Sequence, residues 1–289
     1  MTGAGRGIGR AYARLLAARG ACVVVNDLGG SVDGSGASAD VAAAVVAEIG
    51  ADSEGASAVA DANDVASESG AQALVQHALD EFGRVDVVIN NAGIVRWAAF
   101  PELDGEIMAQ HLAVHVGGAF HTTRSAWPHM VAQGYGRVVM TTSSGIFGLA
   151  NNGAYATAKA AVIGLTRSLA LAGAAHDIKV NLIAPAAATR MGGDEAAAEM
   201  SPDLVAPMVA YLAHEDCPVT GEIYAAGFGR FARVFIATTD GYVHSSGEPT
   251  IEDVAAHWSA INDDTDYRVP PDLIAWSADF MGHLRNGPA

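Results

Sequence analysis

Tyr155 and Lys159 stand four residues apart in NNGAYATAKAAVIGLTRSLA, which puts both side chains on one face of a predicted helix. A free phenol has a pKa of about 10, and serving as a base near neutrality needs a fall of about 3 units, roughly 4 kcal/mol. One cation at about 4 Å and an effective dielectric near 20 supplies an interaction of that size. A Tyr–Lys pair, helped by any further positive charge beside it, can therefore deprotonate an alcohol. Taken alone, the pair is also what any exposed helix face offers.

The opening stretch, MTGAGRGIGR, carries complementary chemistry. Glycine lets a backbone turn sharply and approach a pyrophosphate, and the helix that follows adds N–H donors and the positive end of its dipole. Gly3, Gly7 and Gly9 give the spacing G-x-x-x-G-x-G, with Arg6 and Ile8 between them, rather than G-x-G-x-x-G. Asp27 lies eighteen residues past Gly9, at the end of the apolar run 21–25. A carboxylate there would hydrogen-bond the adenosine ribose hydroxyls and repel a 2′-phosphate, favouring NAD over NADP. Arg6 pulls the other way, because it could receive a phosphate.

These residues need elements to hold them. The runs 21–27, 85–91, 136–142 and 178–185 are apolar on both faces, as strands buried between helical layers are, with shorter candidates at 57–60 and 222–227. Helical patterns fall between them at 9–19, 38–49, 67–82, 104–132, 154–175 and 203–213. That rhythm predicts an α/β protein with a Rossmann-type, doubly wound parallel sheet flanked by helices. Residues 1–234 read as one nucleotide-binding domain, and 235–289 as a C-terminal extension packed on it, with a capping box at Thr250–Asp253.

T-G-x-x-x-G-x-G from Thr2, Asn90-Asn91-Ala92-Gly93, serines ahead of Tyr155-x-x-x-Lys159, and Asn181-x-Ile183-x-Pro185 occur in that order. Together they resemble the short-chain dehydrogenase/reductase family. VVVNDLGG, HVGGAFHTTRSAWPHM, GRVVMTTSSGIFG and NLIAPAAATRM resemble its (3R)-hydroxyacyl-CoA dehydrogenase branch, found in peroxisomal multifunctional enzyme type 2 and in bacterial stand-alone relatives. The resemblance runs from Thr2 to about Arg233 and thins beyond.

The resemblance implies a role for each matching residue. Tyr155 takes the hydroxyl proton, and Lys159 lowers its pKa and binds the nicotinamide ribose. Gly3, Arg6, Gly7, Ile8, Gly9 and Asp27 line the adenosine and pyrophosphate, and Asp64 and Val65 hold the adenine. Asn91, Ala92 and Gly93 hold the central cofactor region, Pro185 follows, and Thr189 contacts the carboxamide. Ser143, at the end of a strand, is expected to hydrogen-bond the reacting oxygen. Eleven residues separate it from Tyr155 where the family has twelve; Thr142 keeps that count, and Ser144 is near. His115 replaces the family's relay asparagine; it can bridge a water to Lys159 and brings a titrating neighbour. The family also has a short strand before Thr2, so Met1 stands at its last position. A misassigned start or a truncation is the expected account, leaving the first strand incomplete.

The remaining features narrow the function class. The 289 residues carry a net charge of −16, from 32 acidic and 16 basic side chains. Such a field argues against nucleic acid, and an anionic substrate needs a local basic patch. Arg96 and Arg190 follow cofactor motifs and could meet CoA phosphates, though solvated arginine is the commoner case. Two cysteines, no signal peptide and no 18-residue apolar stretch lead to a soluble, cytoplasmic protein with no membrane partner. His111 and His115 share a helix face without a third ligand, so no metal is expected. The four tryptophans read as core or pocket wall, and the helices 104–132 and 154–175 as the interface of a homodimer or homotetramer. The resulting expectation is a Ser-Tyr-Lys oxidoreductase using NAD to oxidise a (3R)-3-hydroxyacyl-CoA. A steroid or other bulky-alcohol dehydrogenase, and a cofactor-binding protein without turnover, are the alternatives.

Overall fold

The computed structural model describes residues 1–52, 55–188, 198–245 and 247–284. It divides into two compact units, Met1–Arg233 and Val234–Ala289. In the first unit the valine-rich runs form β1 (Val23–Asn26), β2 (Ala58–Asp61), β3 (Val87–Asn90), β4 (Gly136–Thr141), β5 (Ile178–Ala186) and β6 (Ile223–Gly227), followed by β7 (Arg230–Val234). The connecting helices are α1 (Gly7–Ala18), α2 (Asp40–Asp52), α3 (Glu68–Phe82), α4 (Gly105–His111), α5 (Gly118–Gln133), α6 (Gly153–Gly173) and α7 (Ala206–Leu212).

β1 pairs with β2, and β3 through β7 form a five-stranded sheet in sequence order. The pairs β1–β2, β3–β4, β4–β5 and β5–β6 are all parallel. Met1 and Thr2 join the two sheets. The amino group of Met1 donates to Val24 O at 2.9 Å, and the Asn26 amide donates to Met1 O at 3.0 Å. On the other side the Thr2 amide reaches Ile89 O at 3.0 Å, and Thr2 bridges Asn90 in parallel. The pair thus sits where the end of a central strand is expected. Below it, a cavity of about 380 Å³ lined by Val23, Leu74, Phe82 and Val87 separates β1 from β3.

Both faces of the sheet are covered, which is why its strands are apolar on both sides. On one face Tyr12 of α1 and Val209 and Leu212 of α7 pack on Ile89, Val139 and Ile183. A second cluster joins Ala13 and Ala17 of α1 to Val45 and Ile49 of α2 over Val23 and Val25. Arg137 of β4 is buried, yet its guanidinium is satisfied by the Asp177 carboxylate and by carbonyls of Gly136, Asp177, His214 and Glu215.

Several expectations change. The predicted helix 104–132 is interrupted by a π-helical turn, Leu112–Gly117. A turn of this kind carries one extra residue, and here it precedes Gly118, where a Cβ would come within 3.3 Å of Val65. Edge strand β7 lacks the two-sided apolar signal because Arg230, Phe231 and Arg233 are exposed. α6 with its following turn, Gly153–His176, contains an 18-residue window of mean hydropathy 1.2, so an apolar stretch of that length does occur. Its buried side carries Ala158, Lys159 and Val162, the face that meets the core. Trp97 and Trp258 are exposed rather than core.

In the second unit, β8 (Thr238–Thr239) pairs antiparallel with β9 (Tyr267–Arg268). Its helices are α8 (Ile251–Ala256), α9 (Trp258–Ile261) and α10 (Leu273–Phe280). The expected Thr250–Asp253 capping box forms at the start of α8.

Candidate active site

The strand ends β1, β2, β3 and β5, the glycine turn and α6 surround one cleft of about 360 Å³. Gly3, Arg6, Gly7, Ile8, Gly9 and Asp27 line one end, with Asp64 and Val65 beside them. Asn91, Ala92 and Gly93 line its middle, and His115, Tyr155, Lys159 and Pro185 the other end. Thr189 and Arg190 lie outside the described residues.

The glycine turn is locked to β3 by side chains. Thr2 Oγ1 accepts the amides of Asn91 and Ala92, each at 3.0 Å, and Asn91 Nδ2 donates to Gly3 O at 2.8 Å. A Cβ on Gly9 would stand 2.1 Å from Gly3 O, so backbone meets backbone with no room for a side chain. Gly3, at φ 60°, has Ala92 Cα within 2.7 Å of its missing Cβ. This close-fitted, glycine-lined turn at the start of α1 suits a pyrophosphate.

Asp27 Oδ2 accepts the Gly5 amide at 2.9 Å, and Oδ1 accepts the Gly29 amide at 2.7 Å. Each oxygen keeps a lone pair for a ribose hydroxyl. The Arg6 guanidinium is turned to Gly30 O and Gly29 O, at 3.0 and 3.1 Å. Sequence reasoning missed the support under the turn that carries Asp64. Buried Asp61 accepts Asn26 Nδ2 at 2.6 Å, the Asn63 amide at 3.0 Å, Asn63 Nδ2 at 2.8 Å and His77 at 3.1 Å. Burial pushes its carboxyl up, but these hydrogen bonds outweigh it and hold the group below the usual range. The D-x-N spacing ahead of Asp64 was the available signal.

At the other end, Tyr155 and Lys159 share the inner face of α6 as expected, with Lys159 Nζ 5.6 Å from the phenol ring centroid. Among the three hydroxyl candidates, Ser143 is the one beside Tyr155: its Oγ accepts the Gly145 amide at 3.0 Å, and both side chains border Gly145. Thr142 is fully buried and donates to Lys159 O at 2.8 Å, while Ser144 is exposed in the short helical turn that follows.

Burial pushes the Tyr155 phenol above its ordinary value, and Ser143 opposes this. Lys159 Nζ donates to Thr141 O at 2.8 Å in a buried position, and burial lowers its pKa to about 7. Burial, and then the Lys159 charge, push His115 well below its ordinary value. Its Nε2 donates to Ile94 O at 2.8 Å, leaving Nδ1 bare and without a protein partner. A cavity of about 10 Å³ adjoins it, bounded by Thr2, Asn90, Thr141 and Lys159. That is about the space one water centre needs.

A family profile described as short chain dehydrogenase matches residues 1–199. The chain belongs to the short-chain dehydrogenase family. It is similar to a short-chain type dehydrogenase/reductase of Mycobacterium tuberculosis, 46% identical over 91% of this chain and 93% of the relative. It is also similar to peroxisomal multifunctional enzyme type 2 of Mus musculus, 42% identical over 91% of this chain but only 36% of that enzyme. Among solved structures, full-length peroxisomal multifunctional enzyme type 2 from Drosophila melanogaster superposes with a TM-score of 0.81 at 31% identity, over 99% of this chain and 48% of that one. A short chain dehydrogenase from Mycobacterium avium gives 0.76 at 35% identity, over 91% and 94%. The protein is thus an oxidoreductase of a family that typically uses NAD(P).

Proposed function

We propose that this enzyme uses NAD to oxidise a (3R)-3-hydroxyacyl-CoA to the 3-oxoacyl-CoA. The observation that carries the reading is the meeting of Ser143, Tyr155 and Lys159 at one end of a cleft whose other end presents Asp27. Its similarity to peroxisomal multifunctional enzyme type 2 supports the acyl-CoA class.

When bound, NAD accepts a hydride at the nicotinamide and adds a positive charge beside the site. Asp27 receives the adenosine hydroxyls, and the glycine turn at α1 receives the pyrophosphate. Ser143 donates to the substrate oxygen, and Tyr155 takes its proton as the carbon–hydrogen bond breaks. Burial raises the Tyr155 phenol and lowers the Lys159 amine, which brings the two groups closer in proton affinity. Water in the cavity beside Lys159 carries the proton onward, held by a hydrogen bond to His115 Nδ1. We take the assembly to be a homodimer or homotetramer through α4–α5 and α6, where Phe120 and Leu171 are exposed.

Initial NADH formation from (3R)- and (3S)-hydroxyacyl-CoA, with NADP in parallel, tests the proposal. Turnover of the (3R) epimer with NAD is expected. Turnover of neither, with NADH still binding, would sink the acyl-CoA reading and leave a bulky-alcohol dehydrogenase or a non-turning-over binder.

A further inference from the structure

The segment that leaves β3 crosses the site as an extended strip, and two imidazoles clasp it. His115 holds Ile94 through one ring nitrogen: Nε2 donates to Ile94 O at 2.8 Å, and the Ile94 amide, 3.3 Å from that nitrogen, is not bonded to it in this tautomer. One residue pair further on, His111 Nε2 accepts the Arg96 amide at 3.2 Å. His111 Nδ1 lies 2.8 Å from Ile107 O, a contact that requires a proton on Nδ1 and leaves Nε2 bare. One neutral tautomer therefore satisfies both nitrogens of a fully buried ring. The two rings stack at 5.9 Å and 18°, and His115 stands edge-on to Tyr155 at 5.3 Å.

The strip has one further side-chain mooring, Arg96 Nη1 to Gln110 Oε1 at 2.5 Å, and two through its backbone. The Val95 amide donates to Val32 O at 2.9 Å, tying it to the loop beside Asp27. The Ala98 amide donates to Asn151 O at 3.1 Å, and Ala98 bridges Asn152, bracing the loop between Ser143 and Tyr155. His115 and Ile94 line the cleft; His111 does not.

We propose that His111 is a positioning residue that sets the substrate side of the site by holding the Arg96 amide. With His111 removed, Gly93–Ile94 stays clasped by His115, so the cofactor side keeps its shape. Residues 96–98 lose their backbone tie to α4 and keep the Arg96 side-chain hydrogen bond to Gln110 Oε1 at 2.5 Å, which fixes the guanidinium but not the main chain, so the brace on 151–152 loosens. The kinetic part rests on the reading of Tyr155 as the base; the structural part does not.

The test compares His111→Leu with His111→Gln, whose side-chain oxygen can again accept the amide. In His111→Leu the KM of the alcohol is expected to rise roughly tenfold, with kcat within threefold and NADH affinity within twofold. His111→Gln should recover most of the loss. A merely structural role would lower thermal stability and the active fraction in both variants while leaving the alcohol KM unchanged, and that result overturns the proposal. Amide exchange provides an arm independent of turnover: Arg96 is expected to exchange at least tenfold faster in His111→Leu than in His111→Gln, and equal rates overturn it. Should His111→Leu fail to fold, ring nitrogen spectra of the wild-type protein decide. A protonated Nδ1 with bare Nε2 on His111 supports the clasp, and the opposite tautomer removes it.

Discussion

Lys159 shows how one side chain can be legible in type while its surroundings are not. Its spacing from Tyr155 identified the pair, but the distance to Thr141 O and the depth of burial are properties of β4 against α6. An unfolded lysine holds its proton to about 10.5, whereas here burial releases it at about 7. Between those values the unfolded chain binds more protons, so stability rises with pH across that window and is lowest below it. Lys159→Met is therefore expected to melt several degrees higher than wild type at pH 6–7, with the gap closing toward pH 10, as scanning calorimetry would show. The same variant, like Tyr155→Phe, should lose 10²–10⁴-fold in turnover while still binding NADH, the range expected for a lost general base. Asp27→Ser should raise the NAD KM about tenfold and narrow the preference over NADP. It should also cost stability, because one of the two amides capped by the carboxylate loses its acceptor.

At the scale of elements, the strand–helix alternation was plain because two-sided burial writes continuous valine and isoleucine into β1, β3, β4 and β5. The π-helical turn was not, since Leu112–Gly117 keeps an ordinary helical composition and only the packing of Gly118 on Val65 reveals the extra residue. Edge strand β7 was missed because one exposed side dilutes its pattern. The fit of α1 against the glycine turn allows a sharp prediction. A methyl at position 9 meets backbone oxygen at 2.1 Å, so α1 must move away from the turn. Gly9→Ala should weaken NADH binding more than tenfold in a fluorescence titration and lower the melting temperature. The same change at Gly164, which has open space around it, should do neither.

For the whole molecule, the decisive quantity is the net charge of −16. A CoA thioester carries its own negative charge, and the field of the protein opposes its approach until salt shortens the reach of that field to about 10 Å at 0.1 M. At saturating NAD, raising NaCl from about 20 to about 200 mM should therefore lower the KM of the CoA ester several-fold. The uncharged thioester analogue with the same acyl chain should show no such change. A salt-independent CoA ester KM would mean that a local basic patch already offsets the field.

The sequence by itself determined the chemistry on offer: a phenol and an amine one helical turn apart, a carboxylate after an apolar run, and glycines where a backbone must come close. These are statements about residue type and near spacing, which local geometry is enough to interpret. Only the tertiary structure decided how those groups behave. Ser143 rather than Thr142 faces Tyr155 because β4 buries Thr142 against Lys159 O. The His115 pKa is pushed well below its ordinary value, and that of Lys159 down to about 7, because the fold packs both away from water. Desolvation and hydrogen-bond partners come from residues tens of positions apart, and the fold alone brings those together.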